Sequence, residues 1–133
     1  MKKGQVALET IMIFGLIIIT LSVVVAFATR EASQGFAHQQ AQDAVTAIVR
    51  AADTVYALGP GSEQYVTVVF PGGFENATIQ GRSINLRINI QGVASDFPAR
   101  SLANLTGTLP QSRGVHRIKA TALDSGLVEL EQG

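Results

Sequence analysis

The feature that most constrains this sequence is an uncharged apolar run near its N-terminus. Residues Thr10 to Thr29 read TIMIFGLIIITLSVVVAFAT, twenty residues without a charge or a proline. A helix of this length extends about 30 Å, which matches the hydrocarbon core of a bilayer. The chain has 133 residues and a mean hydropathy of +0.27. The part beyond the run, roughly a hundred residues, is large enough for one modest domain.

Charges on either side of the run predict its orientation. Lys2 and Lys3 precede it, whereas Arg30 and Glu31 follow it with opposite charges. Because segments rich in Lys and Arg stay in the cytoplasm, we expect residues 1–4 inside and everything after Arg30 outside. The chain has no cysteine, so the predicted external domain does without disulfides. Its formal net charge is zero, which gives no basic field for a nucleic-acid partner.

Two ordinary interpretations of the N-terminus are open. The run can be a secretory signal peptide, with Lys2 and Lys3 as its basic region and Ala26-Phe27-Ala28 as the cleavage site. Its apolar stretch, however, exceeds the usual length of about 7–15 residues, and an acidic Glu9 is out of place in it. The run can also be a plain signal anchor, which leaves Glu9 unexplained. An unpaired carboxylate at the edge of a membrane segment is costly if it is drawn into the bilayer.

A third interpretation rests on Lys2-Lys3-Gly4-Gln5, with Glu9 four residues after Gln5 and a long apolar helix beyond. This stretch resembles the class III signal peptide of archaeal type IV pilins, whose euryarchaeal members carry Lys-Gly-Gln before a helix with Glu at the fifth mature position. The resemblance implies that a prepilin peptidase cuts the Gly4–Gln5 bond on the cytoplasmic side, which makes Gln5 the first residue. Many members have serine at the third mature position, where this chain has Ala7.

The resemblance, which covers about residues 1–30, also implies a function and partners. Such a protein is a structural subunit of an extracellular filament, with surface adhesion as its commonest use, although no adhesin site is visible in the sequence. Its partners are copies of itself, the prepilin peptidase, and a pilus assembly ATPase with its membrane platform; it needs no cofactor. Archaeal flagellins fit less well, because they typically open with Gly-Ile-Gly-Thr-Leu-Ile and residues 11–16 here read IMIFGL.

Cleavage before the helix gives Glu9 three possible environments. In a bundle of helices, Glu9 of one subunit can pair with the new α-amino group of a neighbour's Gln5, so that correct axial stagger removes the cost of a buried, unpaired carboxylate. It can instead accept hydrogen bonds from N–H groups near the helix start. In the membrane-bound monomer we expect it to lie in water at headgroup depth.

A second helical pattern follows the apolar run. Apolar residues recur at spacings of 4, 3, 4 and 3 at Ala41, Val45, Ile48, Ala52 and Val55. This stripe predicts an amphipathic helix whose apolar face docks against a C-terminal domain. The helix is expected to run from Gln5 to Leu58, with Gly35 as a soft point, because Gly59-Pro60-Gly61 ends it.

From Glu63 onward the apolar pattern changes to a period of two, which is typical of strands. The predicted strands are residues 65–70, 74–79, 84–90, a weaker 103–109, 115–123 and 127–131. The second and third strands, and the last two, are expected to form hairpins, with a looser stretch at 93–100. The predicted fold is α+β: a long N-terminal helix packed against a small antiparallel sheet or sandwich. The chain then divides into a removed leader 1–4, a transmembrane or filament-core helix 5–30, an amphipathic continuation 31–58 and a β domain 62–133.

The remaining candidate sites lie in the second half of the chain. Asn76-Ala77-Thr78 and Asn104-Leu105-Thr106 match the N-glycosylation sequon. The two histidines, His38 and His116, belong to no recognisable metal-ligand or general-base pattern, and no phosphate-binding loop is present. We therefore expect no enzymatic activity and no metal. The rival to a filament subunit is a membrane-anchored or secreted binding module, which keeps residues 1–4 or loses the whole helix.

Overall fold

The computed structural model describes residues 2–133, except for the side chains of residue 2 and of residues 31–34. Its first element is helix α1, Lys2–Leu58. Within the described residues, seven strands follow: β1 Glu63–Phe70, β2 Phe74–Gln80, β3 Ser83–Ile90, β4 Val93–Arg100, β5 Leu105–Gly107, β6 Gly114–Ala122 and β7 Val128–Gln132. The chain divides into two compact units, Met1–Gly35 and Phe36–Gly133.

The helix of the first unit is apolar on all its sides over the uncharged run 10–29. Its large apolar side chains, from Val6 to Phe27, are exposed, most of them by more than half of their surface. This helix is long and apolar enough to cross a membrane, judged by its length and composition. Because a helix that is apolar all round is stable in lipid or inside a protein assembly, its surface requires a non-aqueous environment.

The second unit contains two sheets and the last part of α1. One sheet has the strand order β1-β6-β7-β5 and the other has the order β2-β3-β4. All pairs are antiparallel except β5 and β7, which run parallel. The fold class predicted from the sequence is confirmed: the protein is α+β, with a long N-terminal helix that packs on a small, mainly antiparallel β region.

The apolar stripe of α1 forms one wall of the core. Its five predicted members are completely or almost completely buried: Ala41, Val45, Ile48, Ala52 and Val55. They belong to one cluster with the inward side chains of both sheets, among them Phe70 and Leu130 of the larger sheet and Leu86 of the smaller. The prediction that this stripe is a buried docking face is therefore confirmed.

Helix α1 ends where the glycine-proline-glycine sequence predicted. Gly59 has a φ of 98°, a left-handed conformation that glycine adopts without steric cost. Its N–H donates a 3.1 Å hydrogen bond to the carbonyl of Val55, and the N–H of Ser62 then donates to the carbonyl of Gly59 at 3.3 Å. The turn satisfies one carbonyl at the end of the helix and directs the chain into β1.

The expectation of a loose stretch at residues 93–100 is wrong. These residues form β4, which pairs with β3 along its whole length, from Val93 opposite Ile90 to Arg100 opposite Ser83. Pro98 made the segment resemble a loop, but a proline is tolerated on an edge strand. Gln91 and Gly92 have φ values of 52° and 82°, as in the two-residue turns that join hairpin strands.

The weaker strand predicted over residues 103–109 is shorter than expected. It is also parallel to its neighbour, whereas the sequence predicted an antiparallel sheet. It contains only Leu105–Gly107 and lies parallel to β7. Gly107 has a φ of 101°, and a side chain there would collide with the carbonyl oxygen of Leu130. The close approach of these two backbones therefore requires glycine, which the sequence pattern did not reveal.

The buried stripe predicts a strong effect for a charge at its centre. Ile48→Asp places a carboxylate in the apolar core and should lower the free energy of unfolding by several kcal/mol, enough to unfold a small domain. Thermal unfolding of a soluble fragment of residues 36–133 measures this. The control is Gln42→Asp on the exposed side of the same helix, which should shift the melting temperature little. Equal melting of the two variants would contradict the docking of the stripe.

Candidate functional site

The predicted cleavage bond lies in the first turns of α1. Gly4 and Gln5 are both exposed. A side chain added at Gly4 would meet no atom within 4 Å, so nothing in the fold requires glycine there. Since glycine weakens a helix relative to alanine, its presence at this position calls for another explanation. Met1 and the side chain of Lys2 lie outside the described residues, whereas the side chain of Lys3 is exposed.

Glu9 stands alone in an apolar surface. It is exposed and forms no ion pair with another residue that the structure describes. Its neighbours Val6, Leu8, Ile11 and Met12 are exposed by 59% to 67%. When these neighbours are buried in lipid or among other helices, the carboxylate needs a partner from outside this segment, because an uncompensated buried charge is expensive.

The hydroxyl groups of the apolar segment are already satisfied within the helix. Each donates a hydrogen bond to the carbonyl four residues earlier, at 2.8 to 3.0 Å, in Thr10, Thr20, Ser22 and Thr29. In an apolar environment such internal bonds remove the cost of an unpaired hydroxyl. Among the described side chains of residues 6–29, Glu9 is therefore the polar group whose burial still requires an external partner.

Both candidate N-glycosylation residues have exposed side chains. Asn76 lies in β2 with Thr78 on the same side of the strand, since side chains alternate along it. Asn104 precedes β5, and its carbonyl accepts a 2.9 Å hydrogen bond from the N–H of Val128. Both asparagine side chains are thus on the surface of the folded protein.

The histidines occupy structural environments. The His38 ring lies 5.4 Å from the ring of Phe97. His116 is buried, contacts the ring of Phe70 at 5.2 Å, and places its Nε2 2.7 Å from the carbonyl oxygen of Ser112. Over the described residues, no group of three or more His, Cys, Asp or Glu side chains is placed to hold a metal ion.

A polar clamp that the sequence pattern did not single out joins the helix to the segment between β4 and β5. The carboxylate of Asp53 accepts hydrogen bonds from the hydroxyl of Ser101 at 2.5 Å and from the N–H of Leu102 at 2.9 Å. The Ser101 oxygen in turn accepts from the N–H of Ala103 at 3.2 Å. Ser101 is 3% exposed. Asp53 lies beside the apolar stripe and does not interrupt it, so the sequence pattern gave no signal of the clamp.

A charged cluster covers the outer face of the larger sheet. The Lys119 ammonium lies 3.5 Å from Glu63 and 3.7 Å from Glu131, and the Arg117 guanidinium lies 4.1 Å from the centre of the Tyr65 ring. Glu63, followed by Tyr65 and more weakly Glu131, raises the pKa of Lys119 above its ordinary value of 10.5. These groups pair with one another across neighbouring strands, so they are a solvated sheet face and not a reactive site.

The predicted site residues fall into two groups. Lys3, Gly4, Gln5 and Glu9 lie together in the first unit, and the two sequons lie in the second. Comparison with protein-family models, with curated proteins and with solved structures finds no match to this chain. A function can therefore be inferred only from the residues of the chain itself.

The clamp predicts a destabilising effect for its central aspartate. Asp53→Ala leaves the Ser101 hydroxyl and the Leu102 N–H without their acceptor, and should lower the free energy of unfolding by about 2–3 kcal/mol. Chemical denaturation of the fragment 36–133 measures the change. Asp43→Ala is the matched control, because Asp43 is exposed on the same helix and its carboxylate accepts a bond from Gln39. A loss of stability no larger than the control's would show that the clamp is inert.

Proposed function

We propose that this chain is a structural, non-enzymatic subunit of an archaeal type IV pilus-like filament. A prepilin peptidase cuts the precursor between Gly4 and Gln5 while its helix spans the cell membrane with the N-terminus in the cytoplasm. An assembly ATPase and a membrane platform then move the subunit into the filament. The apolar helix passes from lipid into the filament core, and the β domain faces the exterior, where it serves surface adhesion.

The observation that carries this proposal is the apolar surface of residues 6–29, which the single charge of Glu9 interrupts. A signal anchor requires an apolar helix but gives no reason for Glu9 at its edge. A secretory signal peptide gives no reason either, and its removal after Ala28 would discard the helix. A filament subunit accounts for both the apolar helix and Glu9. Its helix must leave lipid and pack against other helices, and the Glu9 carboxylate then favours the one axial position at which it meets a positive group of a neighbouring helix.

The surroundings of Gly4 support a role in processing. The fold leaves open space at this residue, so a larger side chain is compatible with the helix. A peptidase that must approach the Gly4–Gln5 bond closely explains why the position carries no side chain. A substitution of Gly4 therefore tests processing without disturbing the fold.

The first test is the mature N-terminus. Protein isolated from native membranes and filaments should lack residues 1–4 and begin at Gln5, whereas Gly4→Leu should remain at precursor mass, because the larger side chain blocks the approach to the bond. Intact-mass spectrometry measures both. Gly35→Leu is the control, since Gly35 is also open to solvent but far from the bond in sequence.

Three outcomes of this measurement would contradict the proposal. A mature chain that starts at Thr29 would have lost the assembly helix, which excludes a filament core built from it. Normal processing of Gly4→Leu would show that the peptidase does not require a small residue. A chain that retains residues 1–4 under all conditions would favour the membrane-anchored binding module.

The second test concerns Glu9. Glu9→Gln should be cut at Gly4–Gln5 but should yield few or no filaments, because it leaves the neighbour's ammonium unpaired in the core. Removal of one partner of a buried pair costs roughly 3–5 kcal/mol, a factor of hundreds or more in each addition step. Filament number and length are counted by electron microscopy at equal amounts of mature subunit.

The controls for this test concern charge. Glu9→Asp keeps the carboxylate on a shorter side chain and should retain more assembly than Glu9→Gln. The modification state of native Gln5 must be measured by mass spectrometry first, since cyclisation removes the positive charge of the amine. Filaments of Glu9→Gln equal to the parent in number and length would exclude the pair.

A further inference from the structure

We infer that Asn76 carries an N-linked glycan and that the first sugar of this glycan lies in a groove on the outer face of the smaller sheet. The inference rests on the extracellular placement of the β domain in the proposed function. It goes beyond that function because it assigns a modification to one of two sequons and gives the attached group a binding site on the protein.

The groove crosses all three strands of the smaller sheet. It has a volume of about 320 Å³, and the side chains that matter for its chemistry are Thr78, Gln80, Ser83, Asn85, Asp96 and Pro98. This volume is at the lower end of the range of about 300–1,000 Å³ for small-molecule sites. The groove therefore fits a single small ring better than a large ligand.

The lining favours a neutral ligand with many hydroxyl groups. Amide and hydroxyl side chains both donate and accept hydrogen bonds, as sugar hydroxyls do. Among the residues that the structure describes, no lysine, arginine or histidine lines the groove, and the neighbouring Arg87 is paired with Glu75 at 3.2 Å, which disfavours a phosphate or another anion in the groove. Asp96 is its one carboxylate, too few for a metal ion, which needs several oxygen ligands. Pro98 adds an apolar surface for the C–H groups of a ring.

The strand register brings Asn76 next to this groove. Asn76 pairs with Arg87, which pairs with Asp96 on the other side, so all three lie in one row across the sheet. The next row on the same face contains Thr78, Asn85 and Pro98. Rows two residues apart are separated by about 7 Å along a strand. A sugar attached to Asn76 thus reaches the groove by lying along the face of the sheet.

One lining residue has an unfilled hydrogen-bonding group. The Nδ2 of Asn85 donates to Asp96 at 3.3 Å, but its Oδ1 is enclosed and accepts no hydrogen bond from the part of the chain that the structure describes. An enclosed, unpaired acceptor costs free energy. If the Asn85 side chain turns this oxygen to the surface of the groove, the oxygen can accept from a sugar hydroxyl. The same movement breaks the hydrogen bond from Nδ2 to Asp96, whose carboxylate then accepts from a second sugar hydroxyl.

Asn104 provides a comparison within the same chain. It is also exposed and belongs to a sequon, but it lies before β5 and is not among the residues that line the groove. A glycan at Asn104 is expected to project into solvent without a binding site on the protein. The two sequons therefore differ in the predicted effect of their glycans on stability.

The first experiment tests the attachment. Full-length protein from the membranes of cells that make it is digested, and its peptides are analysed by mass spectrometry. The peptide with Asn76 should carry hexose-type mass increments, which Asn76→Gln and Thr78→Ala should both abolish. Thr78→Ala keeps the asparagine and removes only the sequon. An unmodified Asn76 in the parent protein would overturn the inference, even if filaments assemble normally.

The second experiment tests the groove through thermal unfolding of the full-length protein in detergent. Asp96→Ala should lower the melting temperature of the glycosylated protein by roughly 4 °C or more beyond its effect in the Asn76→Gln background, the shift expected for one hydrogen bond in a domain of this size. Asp96→Asn keeps the side-chain size and an oxygen that can accept from a sugar hydroxyl, and should therefore have a smaller effect than Asp96→Ala. As a control, Asp96→Ala is compared with and without Asn104→Gln. Here the change in melting temperature caused by Asp96→Ala should be the same in both backgrounds.

The outcomes separate this inference from the proposed function. Equal effects of Asp96→Ala with and without the Asn76 glycan would show that the sugar does not occupy the groove, which overturns the inference. A glycan that is present and coupled to Asp96 supports it, even if Gly4–Gln5 is uncut and no filament forms, because only an external position of the β domain is needed. Failure of processing is measured by the intact mass of the mature protein, and failure of assembly is measured by electron microscopy of filaments. Neither measurement enters the two experiments on the glycan.

Discussion

The structure depends on one constraint: the apolar surface of the first unit cannot remain in water. Large apolar side chains occupy every side of this helix, and its hydroxyls already bond to its own backbone. Lipid and other helices are the two environments that can accept such a surface. A protein that must use both in succession needs a feature that distinguishes them. In the proposed filament subunit Glu9 is such a feature, because its free energy depends on whether a positive group is nearby.

The second unit differs, because it buries most of its large apolar side chains in a core of its own. The part of α1 after Gly35 is amphipathic, and its buried stripe contains alanines as well as larger residues such as Ile48. Small side chains allow the helix to approach two sheets at once, and the larger ones fill the remaining space. Apolar packing alone does not fix the position of the helix along its axis. The Asp53 carboxylate, which accepts hydrogen bonds from two donors, fixes the helix at one position along the β4–β5 segment.

The sheet edges show how the β region avoids unwanted pairing. The amide of Gln111 bonds to both the N–H and the carbonyl of Ala77, at 3.2 and 2.7 Å, and so satisfies the free edge of β2 as another strand would. Pro98 removes a donor from the edge strand β4. Such devices matter in a protein proposed to lie at high local concentration beside identical copies, where an open edge invites pairing between domains.

The sequence by itself determined the features that depend on local periodicity and on residues that permit few conformations. The apolar helix, the Ala41–Val55 stripe, the helix end at Gly59 and five of the strands follow from patterns that span a few residues each. The candidate residues Gly4, Gln5, Glu9, Asn76 and Asn104 were likewise found as local motifs. Only the tertiary structure decided which strands join which sheet, that residues 93–100 form β4, that β5 runs parallel to β7, and that Asp53 holds Ser101. These features depend on contacts between residues far apart in the chain, and their free energy arises from burial and hydrogen bonding after the chain has folded, which no short sequence window contains.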